Sequence, residues 1–152
     1  MPELELHSPD FDAGGDIPQA LTCDGEDRSP ELRWKNAPEN TQSFALIVDD
    51  PDAPGGVFTH WVLFDIPADA TGLPADTSTG TPGQNDFQNA GYGGPCPPPN
   101  DDAHRYIFTL YALDVETLNL ERGAKRDAVE SAMRDHVLDR TQLMGQYQRG
   151  GR

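Results

Sequence analysis

The sequence has few basic residues and no long apolar run. Its 152 residues include 11 Lys or Arg against 26 Asp or Glu, which gives a formal net charge of −15 at pH 7. Such an excess of carboxylates repels polyphosphates and anionic membrane surfaces, so we expect neither a nucleic-acid partner nor insertion into a membrane. The apolar runs are too short to span a bilayer. The first residues lack the basic and apolar regions of a signal peptide, which predicts a cytoplasmic protein.

Lysine is rarer still, since Lys35 and Lys125 are the only two lysines. An acidic surface with little lysine is typical of proteins from a very salty cytoplasm, where ions screen the self-repulsion. We therefore interpret the composition as halophilic; the alternative is an acidic protein from an ordinary cell.

Cysteine is also scarce. Cys23 and Cys96 form no CxxC motif and no Cys/His cluster, so the spacing does not indicate a zinc site, and we predict no metal or other cofactor. Cytosolic thiols are usually reduced, but the sequence leaves a single disulfide between these two residues open.

What the chain does contain is glycine, proline and short apolar segments. With 15 Gly and 14 Pro, it is typical of a loop-rich globular protein, and its length predicts a single domain over residues 1–152. Segments rich in β-branched and aromatic residues predict three strands, with a weaker strand at 31–34 and an edge strand at 4–6. The three main strands are 43–48, 58–66 and 104–113.

One long segment shows no apolar periodicity. Residues 67–103 are rich in turn-forming residues, and a loop of this length is often functional. Beyond the third strand, the spacing of five residues predicts a helix over 125–137, and the tail at 141–147 favours a last strand. The five residues of the helix face are Val129, Ala132, Met133, His136 and Val137. We expect a mostly-β protein with peripheral helices.

Polar side chains stand at the ends of the predicted strands. Alternation places His60 on one face with Val62, Phe64 and Ile66, and it places His104 on one face with Tyr106. If these strands share a sheet, the two histidines and the tyrosine meet at its rim. The turn that follows the first strand can bring Asp50 and Asp52 to the same place. Structural histidines are the plain alternative, and two carboxylates with two imidazoles can also bind a divalent metal.

The segment before the third strand reads Gly91-Tyr-Gly-Gly-Pro-Cys-Pro-Pro98. Its glycines let the backbone approach a ligand closely, and consecutive amides can bind an anion. A rigid surface turn without a ligand is the alternative.

Four motifs, taken in order, resemble the phosphatidylethanolamine-binding protein family. They are Asp50-Pro-Asp-Ala-Pro54, Phe58-Thr-His-Trp-Val62, the glycine–proline segment and His104-Arg-Tyr106. The nearer similarity is to the bacterial and archaeal branch, often called Raf kinase inhibitor-like proteins. The resemblance extends over nearly the whole chain.

The resemblance implies a central antiparallel β-sheet packed on a second sheet, with small helices near the C-terminus. It also implies an anion pocket and, from the habits of the bacterial branch, a homodimer. The residues that match the pocket by motif are Asp50, Asp52, His60, Gly94, Pro95, His104 and Tyr106. Imidazole, phenol and amide groups can all donate hydrogen bonds to phosphate or carboxylate oxygens.

Two features depart from the family pattern. After the proline run the chain carries Asn100, Asp101 and Asp102, which add negative charge near the expected anion site. Where eukaryotic members have a pair of histidines, this chain has Thr59 and His60.

We therefore predict a non-enzymatic protein that binds a small phosphorylated or carboxylate ligand and acts as an inhibitor or modulator of a protease or kinase. One alternative is a hydrolase that uses His60 or His104 as general base with Asp50 or Asp52. A structural dimer with a vestigial pocket is a second alternative.

Overall fold

The computed structural model describes residues 3–149 and contains two antiparallel β-sheets. The strands are β1 (Glu5–His7), β2 (Leu32–Lys35), β3 (Ser43–Asp50), β4 (Phe58–Pro67), β5 (Gly72–Leu73), β6 (Thr81–Pro82), β7 (His104–Leu113) and β8 (Val137–Tyr147). The smaller sheet has the order β1-β2-β5, and the larger has the order β6-β4-β3-β7-β8. A 3-10 turn at Gln19–Leu21 and an α-helix, α1 (Arg126–Met133), complete the described elements. The predicted fold class is confirmed.

The larger sheet is buried on both faces. One face packs against the smaller sheet through a cluster that includes Trp34, Phe44 and Phe108. The other face packs against α1 and its flanking segments, with Ile47 and Val129 in the cluster. Because both faces are covered, β3 reads as a nearly continuous apolar run, and that run is what made the strand recognisable from sequence.

The helix ends earlier than its apolar spacing predicts. It stops at Met133, and the next turn is closed by the His136 amide, which donates to the Met133 carbonyl at 2.7 Å. Val137 already pairs with Leu113 as the first residue of β8. Helical placement of His136 and Val137 was therefore wrong, because pairing with β7 outweighs the helical periodicity. The predicted last strand is confirmed and begins earlier.

Strand β4 bulges at His60. Neighbouring residues of β3 pair with Trp61 and Thr59, so His60 is the extra residue on β4. The bulge turns the His60 side chain to the same side of the sheet as Trp61, where its ring lies 5.2 Å from that of Tyr106. Bulges of this kind are common where a strand must re-aim a side chain toward a site.

Alternation along β4 is interrupted a second time at Asp65, whose φ is 55°. Val62 and Phe64 face the helix, whereas Ile66 faces the smaller sheet. The common face predicted for these three side chains and His60 was therefore wrong, since strict alternation holds only along an unbulged strand.

Residues 68–103 are irregular apart from β5 and β6, as predicted. Part of this segment is held against the chain near the 3-10 turn by the Cys23–Cys96 disulfide. The Cys23 amide donates to the Pro95 carbonyl, and the Gly94 amide donates to the Asp27 carboxylate at 2.8 Å. A Cβ atom at Gly94 would collide with the Leu21 carbonyl, so this contact requires glycine. Among residues 3–149, no helix is both long and apolar enough to cross a membrane.

Candidate functional site

A cavity of about 230 Å³ opens where β3 ends and where β4 and β7 begin. Its polar lining is Asp50, His60, His104 and Tyr106, which are four of the seven residues predicted from the sequence. Its apolar lining comes from the turn after β3, from the start of β4 and from the long irregular segment: Ala53, Pro54, Phe58, Phe87, Cys96, Pro97 and Pro98.

His104 is held between two carboxylates. Its Nδ1 lies 2.6 Å from Asp50 Oδ2, and its Nε2 lies 2.9 Å from Asp101 Oδ2. Burial by itself lowers the pKa of His104, but hydrogen bonds to the two carboxylates outweigh it, and the pKa is raised above its ordinary value. His104 is therefore the residue of the cavity that favours the imidazolium form, with both nitrogens donating.

His60 has the opposite electrostatic environment. Its Nδ1 lies 2.8 Å from the Gly93 carbonyl oxygen, which makes Nδ1–H the donor. Its ring contacts Phe58, Phe87 and Tyr106 with centroids 4.9–5.4 Å apart. Burial lowers the pKa of His60, so this imidazole favours the neutral form. Because Nδ1 carries the proton, Nε2 presents a lone pair.

Tyr106 supplies an unused donor. Its side chain is 1% exposed, and its hydroxyl has no hydrogen-bond partner among the described residues. Burial raises the pKa of Tyr106 well above its ordinary value, and the charge and proximity of the Asp50 carboxylate raise it further, so the hydroxyl keeps its proton. The Asp50 carboxylate lies near the hydroxyl, but the two form no hydrogen bond of acceptable geometry. A buried hydroxyl without a partner costs about 1–3 kcal/mol of free energy. Within a cavity, such a group is a natural contact for a ligand.

The other three predicted residues lie outside the cavity lining. Asp52 binds the exposed Arg105, with Oδ1 and Nη2 2.9 Å apart, and the hydrogen bonds from Arg105 lower the pKa of Asp52 to about 2. The Gly94 amide already donates to Asp27, and the Pro95 carbonyl accepts from Cys23. These residues hold the neighbouring loops in place, while the four lining residues face the cavity.

Sequence reasoning missed the aromatic wall. Phe58 and Phe87 lie 4.8 Å apart, edge to face, and both flank His60. Phe87 stands in a segment without apolar periodicity, so no pattern marked it. The sequence indicates Asp101 only as added negative charge, whereas in the structure its carboxylate lies 2.9 Å from His104 Nε2.

A larger cleft, of about 560 Å³, lies on the helix side and is lined in part by Thr59, Asp86 and Arg126. Some of its charged groups have partners: Asp86 accepts the Thr59 amide, and Arg126 pairs with Asp49 and Glu130. Arg126 Nε, however, is a buried donor without a partner among the described residues. Within residues 3–149, no set of three His, Cys, Asp or Glu side chains is arranged to hold a metal ion. The smaller cavity is the stronger candidate site, because two buried histidines and the buried Tyr106 hydroxyl converge there.

Fold and cavity together define a class of small two-sheet β proteins in which two buried histidines and a tyrosine meet at the ends of central strands. A sequence model described as "Phosphatidylethanolamine-binding protein" matches residues 7–148. The chain belongs to the phosphatidylethanolamine-binding protein family.

Relatives agree with this assignment. UPF0098 proteins of Aquifex aeolicus and Methanothermobacter thermautotrophicus are each 47% identical, over 96% and 97% of this chain and 89% and 99% of theirs. The crystal structure of a phosphatidylethanolamine-binding protein homolog, CT736 of Chlamydia trachomatis, has a TM-score of 0.92 and 34% identity, covering 98% of this chain and 99% of the other. Escherichia coli YbcL has a TM-score of 0.90 and 31% identity, covering 97% and 99%. The predicted resemblance to the bacterial and archaeal branch is confirmed.

Proposed function

We propose that this protein binds a small oxyanion, most simply the phosphate of a monoester, in the cavity beside His60, His104 and Tyr106. The observation that carries the proposal is the Tyr106 hydroxyl, a protonated donor that is buried at the cavity without a partner. A ligand oxygen that accepts from this hydroxyl relieves an unsatisfied polar group, and that relief contributes to the free energy of binding.

The neighbouring groups complement a phosphate that still carries one proton. His104 offers Nε2–H as a charge-assisted donor once a ligand oxygen takes the position of Asp101. His60, neutral and with its proton on Nδ1, offers Nε2 as an acceptor for a P–OH group. The Tyr106 hydroxyl and His104 Nε2 are donors, and His60 Nε2 is an acceptor. This set matches a monoester monoanion, which still has one P–OH group, better than a fully ionised phosphate.

The apolar lining supports an organic substituent on the ligand. Phe58, Phe87 and the prolines of the long segment form most of the wall. Ligand pockets commonly combine such walls with a few well-placed polar groups. The proposal therefore favours an organic phosphate over free inorganic phosphate.

Binding without catalysis is the form of the proposal that the lining residues support. Cys96 is held in a disulfide and the Tyr106 phenol has a raised pKa, so neither is an activated nucleophile. Both nitrogens of His104 are already engaged, so the lone pair on His60 Nε2 is the remaining base among the lining histidines, and it has no activated protein nucleophile beside it. We further propose that a phosphorylated side chain of a protein target can supply the ligand group, through which this protein would modulate a protease or kinase.

An NMR titration tests the proposal. Wild-type protein in potassium chloride is titrated with phosphorylethanolamine, with inorganic phosphate and with a phosphoserine peptide. We expect saturable shifts at His60, His104 and Tyr106. Tighter binding of phosphorylethanolamine would indicate a lipid headgroup as the source of the phosphate, and tighter binding of the peptide would indicate a protein.

Tyr106→Phe is the sharpest variant, because it removes one hydroxyl and keeps the ring. We expect the Kd for the organic phosphate to rise about tenfold, while the melting temperature stays equal or increases, since the hydroxyl has no partner to lose. Tyr111→Phe is the matched control: it lies on the same strand but packs on the helix side of the sheet. Absence of cavity shifts at millimolar ligand, or an unchanged Kd in Tyr106→Phe, would overturn the proposal.

A further inference from the structure

Both ring nitrogens of His104 are already engaged by carboxylates of the same chain. Asp101 Oδ2 lies 2.9 Å from His104 Nε2, on the side opposite to the Asp50 contact at Nδ1. An oxyanion that accepts a hydrogen bond from Nε2 would have to replace this carboxylate. The contact joins residues only three positions apart, at the junction of residues 98–102 with β7.

We propose that Asp101 is an internal competitor for the oxyanion site, so that a ligand binds His104 only by displacing the Asp101 carboxylate. This inference rests on the proposed oxyanion binding and adds a residue that sets its affinity and selectivity. A ligand that cannot replace the charge-assisted hydrogen bond of Asp101 gains nothing from His104 and is excluded.

Two carboxylates contact His104, but only one is placed to leave. The Asp50 side chain is 4% exposed, whereas the Asp101 side chain is 38% exposed. The backbone of Asp101 is held separately: its amide donates to Pro98 and its carbonyl accepts from Gln148. The side chain can therefore rotate into solvent while the turn keeps its conformation.

The charges around His104 make displacement necessary. Asp50 on β3 and Asp101 on the turn face its ring edges, and Tyr106 on β7 stacks on it with centroids 6.5 Å apart. Asp52 and Arg105 pair with each other beyond it. Two carboxylates against one imidazolium leave a net negative charge, which repels an incoming anion until Asp101 withdraws.

Asp101→Ala tests the inference, with Asp102→Ala as the control. The two substitutions remove the same charge from adjacent positions, but Asp102 makes no side-chain hydrogen bond or ion pair with another described residue. Titration of each with phosphorylethanolamine should give a Kd about tenfold lower in Asp101→Ala than in wild type, and little changed in Asp102→Ala. Asp101→Asn, which keeps an oxygen acceptor without the charge, should fall between wild type and Asp101→Ala.

A second readout needs no ligand. The pKa of the His104 imidazole, followed by NMR, should fall in Asp101→Ala and stay near the wild-type value in Asp102→Ala, because only Asp101 contacts Nε2. If wild type and Asp101→Ala bind phosphorylethanolamine with equal affinity, or if both alanine variants bind it equally more tightly, the role of Asp101 as a competitor is wrong. Oxyanion binding itself would then still stand. Loss of ligand shifts in every variant would instead overturn the proposed function on which it rests.

Discussion

His60 and His104 both contact the Tyr106 ring, yet their pKa values move in opposite directions. Burial lowers the pKa of His60, and hydrogen bonds to Asp50 and Asp101 raise that of His104. Over the interval between the two values, the cavity holds one neutral and one charged imidazole. In this pH interval His104 can donate a hydrogen bond to a ligand while His60 accepts one from the same ligand.

We expect the two histidines to titrate on opposite sides of the ordinary value of about 6.5. His104 stabilises the fold fully below that value, and its contribution is lost as the pH rises through its folded pKa. His60 acts in reverse, since the fold keeps it neutral and loses stability as the pH falls below about 6.5. NMR titration of the two imidazoles measures both; a His104 that titrates below His60 would contradict the assignment.

Residue-level prediction succeeded where strand geometry carries information. Asp50, His104 and Tyr106 follow from strand ends and alternation, and they line the cavity together. His60 reaches the cavity only because of a bulge, which no local pattern signals. Whether the lining residues bind a ligand stays a prediction.

At the scale of elements, the long irregular segment depends on its attachment to the chain near the 3-10 turn. Three contacts form this attachment: the Cys23–Cys96 disulfide, the hydrogen bond that the Tyr92 hydroxyl donates to the Leu21 carbonyl, and the hydrogen bond from the Gly94 amide to Asp27. None of these pairings is encoded in a periodic pattern, because they join residues far apart in the chain. Sequence analysis could therefore identify the segment as a loop but could not place it.

We expect the disulfide to contribute about 2–4 kcal/mol to the free energy of unfolding, because it closes a loop between residues 73 positions apart. Cys96 also lines the cavity, so its release should weaken oxyanion binding. Urea unfolding of oxidised protein, of protein reduced by a phosphine and of the Cys23→Ser/Cys96→Ser variant measures the loss. If a thiol assay shows that both cysteines of the reduced protein are free, and its urea midpoint still equals that of the oxidised protein, the expected stabilisation by the disulfide is contradicted.

At the scale of the whole molecule, the dominant quantity is the net charge of −15. Six described ion pairs use an arginine, but 11 basic residues cannot neutralise 26 acidic ones even when every one of them is paired. The pairs are Arg28–Glu26, Arg33–Glu31, Arg105–Asp52, Arg126–Asp49, Arg126–Glu130 and Arg149–Asp24. The remaining carboxylates repel one another at low ionic strength.

We expect the melting temperature to rise by about 5–10 °C between low and molar potassium chloride, as screening removes this repulsion. Chloride is preferred to sulfate because sulfate also strengthens apolar burial. Melting temperatures measured in sucrose serve as the control, because sucrose is excluded from the protein surface but does not screen charge. A melting temperature that does not change with potassium chloride would contradict the halophilic interpretation of the composition.

The central sheet sets β3 beside β7, although β4, β5, β6 and the long irregular segment lie between them in the chain. β3 can pair with β4, and β7 with β8, between neighbours in the chain, but β3 and β7 can pair with each other only after a large loop closes. Folding should accordingly be slow for the size of the protein, in the millisecond-to-second range of β-rich domains with many non-local contacts. The cavity joins the end of β3 to the start of β7, so it requires this pairing, and we expect chains in which β3 and β7 have not yet paired to lack the site.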